Sequence, residues 1–173
     1  MRKGLLMVFT GNGKGKTTAA LGQAFRALGH GMRVCFIQFV KGSRKCGELD
    51  AAARFSDLLE IHVFGRGFLW ESDDLAKDEE VAKQGWEFAK QQMISGRFQM
   101  VILDEITYVL NFMNIKEADV VEFLKNRPPG LHIVTTGRDA PTSLCNAADL
   151  VTVMGEEKHP YNRGVAAQRG VEF

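Results

Sequence analysis

Short apolar runs alternate along this 173-residue chain with segments whose apolar residues recur at helical spacing. An apolar run bounded by turn residues is typical of a strand buried on both faces. The predicted strands lie at 5–9, 34–40, 61–64, 100–103, 132–136 and 150–154. The predicted helices span 16–28, a segment from a cap at Asp73 or Asp74 to Ser95, and a segment from a capping box at Asn114 and Glu117 to Pro128.

Strands separated by helices indicate right-handed crossovers, and therefore an α/β fold in which a mostly parallel sheet carries helices on both faces. The length fits one domain over residues 1–173. Such folds bind ligands at the carboxyl ends of their strands. We therefore expect the loops that follow Phe9 and Leu103 to lie at the ligand-binding edge.

Charge and cysteine content exclude several classes of protein. Lys and Arg total 22 and Asp and Glu total 21, so no overall charge attracts the chain to nucleic acid or to a membrane surface. No segment has the apolar length of a membrane span. The three cysteines lie far apart without metal-ligand spacing, which fits a reducing cytosol. We expect a cytoplasmic protein that binds neither nucleic acid nor membranes.

Residues 10–18 read Thr-Gly-Asn-Gly-Lys-Gly-Lys-Thr-Thr, the spacing of a P-loop with threonine in place of the first glycine. Glycines let successive amides turn inward around an anion, and the following helix adds unpaired N–H groups. The ammonium of Lys16 can pair with phosphate, and the hydroxyl of Thr17 can bind a bridging Mg²⁺. The alternative is a glycine-rich turn without a ligand, but lysines among glycines have no packing role. The predicted nucleotide-binding residues here are Gly11, Asn12, Gly13, Lys14, Gly15, Lys16, Thr17 and Thr18.

Asp104 and Glu105 directly follow the predicted strand 100–103. In P-loop proteins a carboxylate at this Walker B position completes the Mg²⁺ shell opposite the P-loop threonine. The spacing from Lys16 is compatible with a RecA-like P-loop NTPase sheet. Acids that merely end a strand at the surface are the alternative. Which acid contacts the metal stays open, because alternation along a strand places neighbours on opposite sides.

Five separated segments resemble the ATP:corrinoid adenosyltransferases of cobalamin synthesis and salvage, in that family's order and over nearly the whole chain. They are Phe9–Ala20, Gly67–Glu71, Leu103–Tyr108, Thr136–Arg138, and Lys158–Tyr161 with Gly164, Ala167 and Gln168. The threonine at position 10 belongs to the family's own version of the P-loop. The resemblance implies transfer of the 5′-deoxyadenosyl group of ATP to the Co(I) of a corrinoid, with release of triphosphate.

The same resemblance implies roles for single residues. It makes Lys16 and Glu105 catalytic, and it assigns Mg²⁺ to Thr17 and Glu105, with Asp104 supporting them. ATP lies along the loop in the reverse sense, so that C5′ rather than the γ-phosphorus meets the nucleophile. No Ser/His/Asp or Cys/His set is needed, because the cobalt of the substrate attacks.

Phe68 and Trp70 match aromatic residues that pack near the corrin and help to remove the lower axial ligand of Co(II). Core packing is the alternative for this pair. Arg138 follows a predicted strand and can reach the phosphates or a corrin amide; an exposed structural arginine is the alternative.

The resemblance further implies a cobalamin, cobinamide or cobyrinic acid a,c-diamide substrate, a reduced flavoprotein as electron donor, and a homodimer. Members often carry a helical extension ahead of the first strand. This sequence begins a few residues before its first strand, so we expect closure of the active site to differ. Two competing functions are a RecA-like ATPase or kinase that uses Glu105 to position water or an acceptor hydroxyl, and a nucleotide-binding regulatory module without turnover.

Overall fold

The structure, a computed structural model, describes residues 3–40, 46–65 and 74–172. Within these ranges six strands form one parallel sheet. The strands are β1 (Leu6–Thr10), β2 (Val34–Gln38), β3 (Leu59–Val63), β4 (Met100–Asp104), β5 (His132–Thr136) and β6 (Leu150–Val153). Their order across the sheet is β3-β2-β4-β5-β1-β6, so the strand before the P-loop and the strand before the paired acids are separated by β5 alone.

Helices cover both faces of this sheet. They are α1 (Lys16–Leu28), α2 (Gly47–Ala52), α3 (Leu75–Ile94), α4 (Ile106–Phe112), α5 (Glu117–Lys125) and α6 (Thr142–Ala147), with 3₁₀ turns at Ala53–Phe55 and Pro160–Arg163. The predicted apolar face of α1 is buried as expected, with Ala20, Ala24, Ala27 and Leu28 against the sheet. No helix among the described residues is both long and apolar enough to cross a membrane.

Two apolar cores lie on opposite sides of the sheet. One joins alternate strand residues such as Val8 and Leu103 to α3, α4, α5 and α6. The other joins their neighbours, such as Phe9 and Ile102, to α1. Since successive residues of a strand point to opposite faces, both sets of strand residues are buried. The predicted parallel sheet with helices on both faces is confirmed.

Local structure agrees with the predictions at one helix start and departs from them at two kinds of place. The cap at Asp74 is confirmed, because its side chain accepts a hydrogen bond from the backbone N–H of Lys77 at 3.1 Å. The capping box at Asn114 is wrong: α5 begins at Glu117, with Lys116 at its N-cap. The carboxylate of Glu117 instead accepts a hydrogen bond from the hydroxyl of Ser143. The short helices α2, α4 and α6 were not predicted.

Candidate active site

The loop between β1 and α1 is wrapped around the ammonium group of Lys16. Gly11 and Gly15 have φ of 99° and 118°, values that favour glycine. Lys16 Nζ donates hydrogen bonds to the carbonyl oxygens of Gly11 at 2.7 Å and Gly13 at 2.9 Å. The residue is only 6% exposed. The backbone of the loop thus holds the ammonium where phosphate oxygens of a nucleotide would meet it.

Four charged side chains act on Lys16 besides its burial, those of Glu105, Arg138, Asp104 and Asp139. Burial lowers the pKa of its ammonium below the usual 10.5. The carboxylate of Glu105 opposes this shift, and the guanidinium of Arg138 adds to it. Glu105 and Arg138 also line the main cavity together with Lys16.

The backbone that follows β6 braces the P-loop. Met154 N–H donates to the carbonyl of Thr10, and its own carbonyl accepts from Gly13 N–H, both at 2.8 Å. A Cβ on Gly13 would lie 2.4 Å from the carbonyl oxygen of Gly155. Gly13 therefore serves close packing of two backbone segments as well as the shape of the loop.

Thr136, at the end of β5, joins the two acids. Its hydroxyl donates to Oδ1 of Asp104 at 2.7 Å and accepts from the backbone N–H of Glu105 at 2.9 Å. Asp104 is 1% exposed, whereas Glu105 is partly exposed and lines the main cavity. This arrangement leaves Glu105 as the acid that faces the main cavity, with Asp104 buried behind it.

Glu105 has left-handed backbone angles, φ 60° and ψ 28°. A non-glycine residue in this region is uncommon and often marks a functional site. The strand ends at Asp104, so alternation along β4 does not extend to Glu105. The expectation that the two acids point to opposite sides assumed that strand alternation continues through Glu105, whereas β4 ends at Asp104.

The loop after β5 carries Arg138 and is tied to α4. Thr107 Oγ1 donates to the carbonyl of Arg138 at 2.6 Å, and Asn111 Nδ2 donates to the carbonyl of Asp139 at 3.1 Å. Gly137 has φ 139°, and any Cβ there would clash with the Thr107 hydroxyl. These contacts hold the Arg138 backbone at the edge of the cavity.

The main cavity has a volume of about 1290 Å³ and extends from the P-loop over α1. Thr17, Glu105 and Arg138 contribute polar groups to it. Aromatic pairs line it further out: Phe25 with Phe55, whose ring centroids are 6.1 Å apart, and Tyr108 with Phe112, 4.9 Å apart. A pocket for one small ligand is typically about 300–1,000 Å³, so this space can hold a second, larger and partly apolar ligand beside a nucleotide.

The oxygen donors at the P-loop suit Mg²⁺. Thr17 offers a hydroxyl and Glu105 a carboxylate, both on the wall of the main cavity. Such hard oxygen donors match the preference of this ion, which commonly takes its remaining ligands from substrate phosphates and water. In the described part of the chain no group of three or more His, Cys, Asp and Glu residues could hold a metal by itself. The residues present therefore fit an ion that binds together with the nucleotide.

A sequence profile described as ATP:corrinoid adenosyltransferase BtuR/CobO/CobP matches residues 2–173. The chain belongs to the ATP:corrinoid adenosyltransferase family. Three family members named corrinoid adenosyltransferase come from Sinorhizobium sp, Pseudomonas aeruginosa and Escherichia coli K12. They are 45%, 40% and 36% identical to this chain. Each match covers 99% of this chain and, in the same order, 81%, 84% and 86% of the relative.

Solved structures place this family member among proteins of the RecA-like fold. The flagellar accessory protein FlaH of Methanocaldococcus jannaschii superimposes with a TM-score of 0.57 at 14% identity, over 88% of this chain and 72% of FlaH. A KaiC-like protein of Pyrococcus horikoshii OT3 gives 0.58 at 15% identity, over 92% and 75%. At such low identity the likeness shows the fold alone, and it confirms the P-loop NTPase class predicted from the sequence.

The structure brings most of the predicted site residues of this adenosyltransferase family member to one edge of the sheet. Two neighbouring cavities lie there, and they are lined by Glu105, Arg138 and all the predicted P-loop residues except Gly11. The carbonyl oxygen of Gly11 instead accepts a hydrogen bond from the ammonium of Lys16. Phe68 and Trp70 lie outside the described residues. Sequence reasoning missed Thr136, Met154 and Asp139. Thr136 begins one of the five family-like segments, so its position in the sequence could have indicated a role. Met154 acts through its backbone N–H and carbonyl, and its side chain therefore does not indicate this role.

Proposed function

We propose that the protein transfers the 5′-deoxyadenosyl group of ATP to the Co(I) of a corrinoid and releases inorganic triphosphate. The observation that carries this proposal is the family match over residues 2–173. The cobalt supplies the electron pair of the new Co–C5′ bond. The C5′–O bond breaks, and its electrons leave with the triphosphate.

In this reaction the protein binds and orients the two substrates, and none of its own side chains acts as the nucleophile. Lys16 and the P-loop amides stabilise the charge that grows on the departing triphosphate. Their interactions strengthen as the C5′–O bond breaks, so they lower the barrier instead of merely tightening ATP binding. Arg138, at the rim of both cavities, adds a further cation. The nucleotide-binding set is Gly11–Thr18 with Arg138.

Thr17 and Glu105 would hold Mg²⁺, with Asp104 and Thr136 fixing the position of Glu105. When bound, the ion neutralises part of the triphosphate charge. Mg²⁺ is the one cofactor in this proposal; ATP and the corrinoid are substrates.

The apolar part of the main cavity supports a corrinoid, cobalamin, cobinamide or cobyrinic acid a,c-diamide, as the second substrate. Phe68 and Trp70 are proposed to contact it and to favour loss of the lower axial ligand. A reduced flavoprotein is proposed as the electron donor. We further propose that residues 1–173 form one domain, that the protein is a homodimer and that it is located in the cytoplasm. A RecA-like ATPase or kinase is not favoured, because the family match names a different reaction.

One incubation distinguishes these activities. The purified protein is mixed with MgATP and chemically reduced cobalamin, and loss of the Co(I) spectrum is followed together with the phosphorus products. We expect light-sensitive adenosylcobalamin and triphosphate in equal amounts. Accumulation of ADP without a cobalt–carbon bond would instead identify a γ-phosphate-transferring enzyme. Lys16→Ala serves as the inactive control, since it removes the cation at the centre of the loop.

A further inference from the structure

The chain that follows β6 forms one wall of a second cavity beside the P-loop. Residues 154 and 155 are fixed to the loop by the two backbone hydrogen bonds at Met154. The chain then continues through Glu156 to the 3₁₀ turn at Pro160–Arg163. Between this segment and the loop lies a cavity of about 380 Å³, adjoining the main one.

The charges around this second cavity favour an anion. Lys14 and Lys16 of the P-loop and Arg138 of the loop after β5 line it, together with Gly13. Glu156 is the acidic residue on its wall, and that carboxylate accepts a hydrogen bond from Asn162 Nδ2 at 2.7 Å. Three cations against one hydrogen-bonded carboxylate give a net positive site.

His159 also lines this second cavity, and the proposed function assigns it no role. It is partly buried, whereas the residues on either side of it, Lys158 and Pro160, are exposed. Its Nδ1 accepts the backbone N–H of Tyr161 at 3.2 Å, which caps the 3₁₀ turn and fixes the ring. A neutral imidazole that accepts at Nδ1 carries its proton at Nε2. Within the described residues Nε2 has no hydrogen-bond partner, and His159 is one of the residues that line this positively charged cavity.

We propose that Nε2–H of His159 donates a hydrogen bond to a phosphate oxygen of bound ATP. The same donor stays on the triphosphate after the C5′–O bond breaks, which makes His159 a part of the leaving-group site. This inference rests on the proposed function for the identity of the nucleotide. In this arrangement a residue of the C-terminal segment, far from the P-loop in sequence, completes the phosphate site.

Two substitutions separate this role from capping of the turn. His159→Asn keeps an acceptor for Tyr161 N–H, since asparagine is a good cap, but it lacks a donor at the position of Nε2. His159→Ala removes both groups. The probe is inorganic triphosphate with Mg²⁺, titrated calorimetrically into the protein without a corrinoid. His30→Asn, at an exposed position after α1, is the matched control.

We expect His159→Asn and His159→Ala to weaken triphosphate binding by about tenfold, as for loss of a hydrogen bond to a charged group. His159→Asn and His30→Asn should unfold at the temperature of the wild-type protein, and His30→Asn should bind triphosphate normally. Wild-type triphosphate affinity in His159→Asn would overturn the proposal and leave His159 as a cap. Weaker binding of adenosine with unchanged binding of triphosphate would overturn it as well.

The proposed function can fail separately from this inference. If the wild-type protein forms no adenosylcobalamin yet binds triphosphate in a His159-dependent manner, the transferase activity is wrong and the phosphate contact stands. If adenosylcobalamin forms at the wild-type rate in His159→Asn and triphosphate binding is unchanged, the activity stands and the contact is wrong.

Discussion

The hydroxyl of Thr136 lies 2.7 Å from Oδ1 of Asp104, and the same oxygen accepts the backbone N–H of Glu105 at 2.9 Å. One side chain from β5 thereby sets the positions of two consecutive acids at the end of β4. It also holds the backbone N–H of Glu105, a residue whose left-handed conformation is uncommon for residues other than glycine. The geometry of the proposed Mg²⁺ site thus depends on a buried residue that lines neither of the two cavities.

Thr136→Val should impair both stability and Mg²⁺ use. The change keeps the shape of the side chain but leaves the buried Asp104 carboxylate without the donated hydrogen bond, which costs about 1–3 kcal/mol. Chemical denaturation measures this loss, and the Mg²⁺ concentration that half-saturates MgATP binding should rise. Thr136→Ser retains the hydroxyl and should behave like the wild-type protein in the Mg²⁺ titration. Equal Mg²⁺ dependence in all three proteins would refute the positioning role.

Triphosphate affinity should fall at alkaline pH because of Lys16. Burial lowers the pKa of this ammonium in the free protein, and a bound polyanion raises it again. Binding therefore takes up a proton once the pH exceeds the lowered pKa. Affinity should be flat near neutral pH and then fall by up to about tenfold per pH unit, beginning below the usual lysine value.

Calorimetry of inorganic triphosphate at increasing pH measures this slope. Lys16→Arg is the control, because a guanidinium does not titrate in this range. If the slope persists unchanged in Lys16→Arg, another group causes it.

Gly13→Ala should disrupt the brace between the P-loop and the chain after β6. A Cβ would lie 2.4 Å from the carbonyl oxygen of Gly155, so one of the two backbone segments must move. We expect loss of most MgATP binding, measured by titration of a fluorescent ATP analogue. Gly22→Ala is the matched control: nothing lies within 4 Å of a Cβ there, and the residue is inside α1. That change should stabilise the protein by about 0.5–1 kcal/mol through helix propensity and leave binding unchanged.

Asp149→Asn should destabilise the protein at neutral pH and flatten its acid transition. Asp149 accepts hydrogen bonds from the ammonium of Lys3, the backbone of Leu6 and the guanidinium of Arg127, which joins β1, β6 and the end of α5. The Lys3 bond first, and then the Leu6 N–H, lower the pKa of its carboxyl below 3.8. A carboxyl whose pKa is lowered on folding contributes stability above its unfolded pKa and loses it as pH falls through the folded value. Thermal unfolding at neutral pH and below about pH 4 should therefore show a difference between wild type and Asp149→Asn that disappears in acid.

Trp70→Ala should mainly affect the reaction that starts from Co(II). If the indole helps to remove the lower axial ligand, its loss hinders reduction to Co(I) but not the attack of Co(I) that has already formed. The measurement compares adenosylcobalamin formation from Co(II) plus a reductase with formation from chemically reduced Co(I). Equal losses in the two assays would contradict this role.

Local patterns were sufficient where the structure is local. The P-loop, the face of α1 and the positions of the six strands could be predicted, because glycine spacing, helical periodicity and apolar runs act over a few neighbouring residues. The five family-like segments predicted the reaction, which the fold alone does not specify, and the family match confirmed this prediction. The capping box at Asn114 failed because a contact from α6, the hydroxyl of Ser143, captured the carboxylate of Glu117.

What only the tertiary structure decided is how distant segments meet at the phosphate loop. The strand order sets β5 between β1 and β4, so Thr136 reaches both acids. The pairing of β6 with β1 returns the chain to the loop, where Met154 braces it and His159 joins its cavity. The sequence by itself determined the phosphate-binding loop and the family. The completed site depends on strand pairing between segments far apart in the chain. Local residue patterns do not predict that pairing, because they reflect interactions between residues close together in sequence.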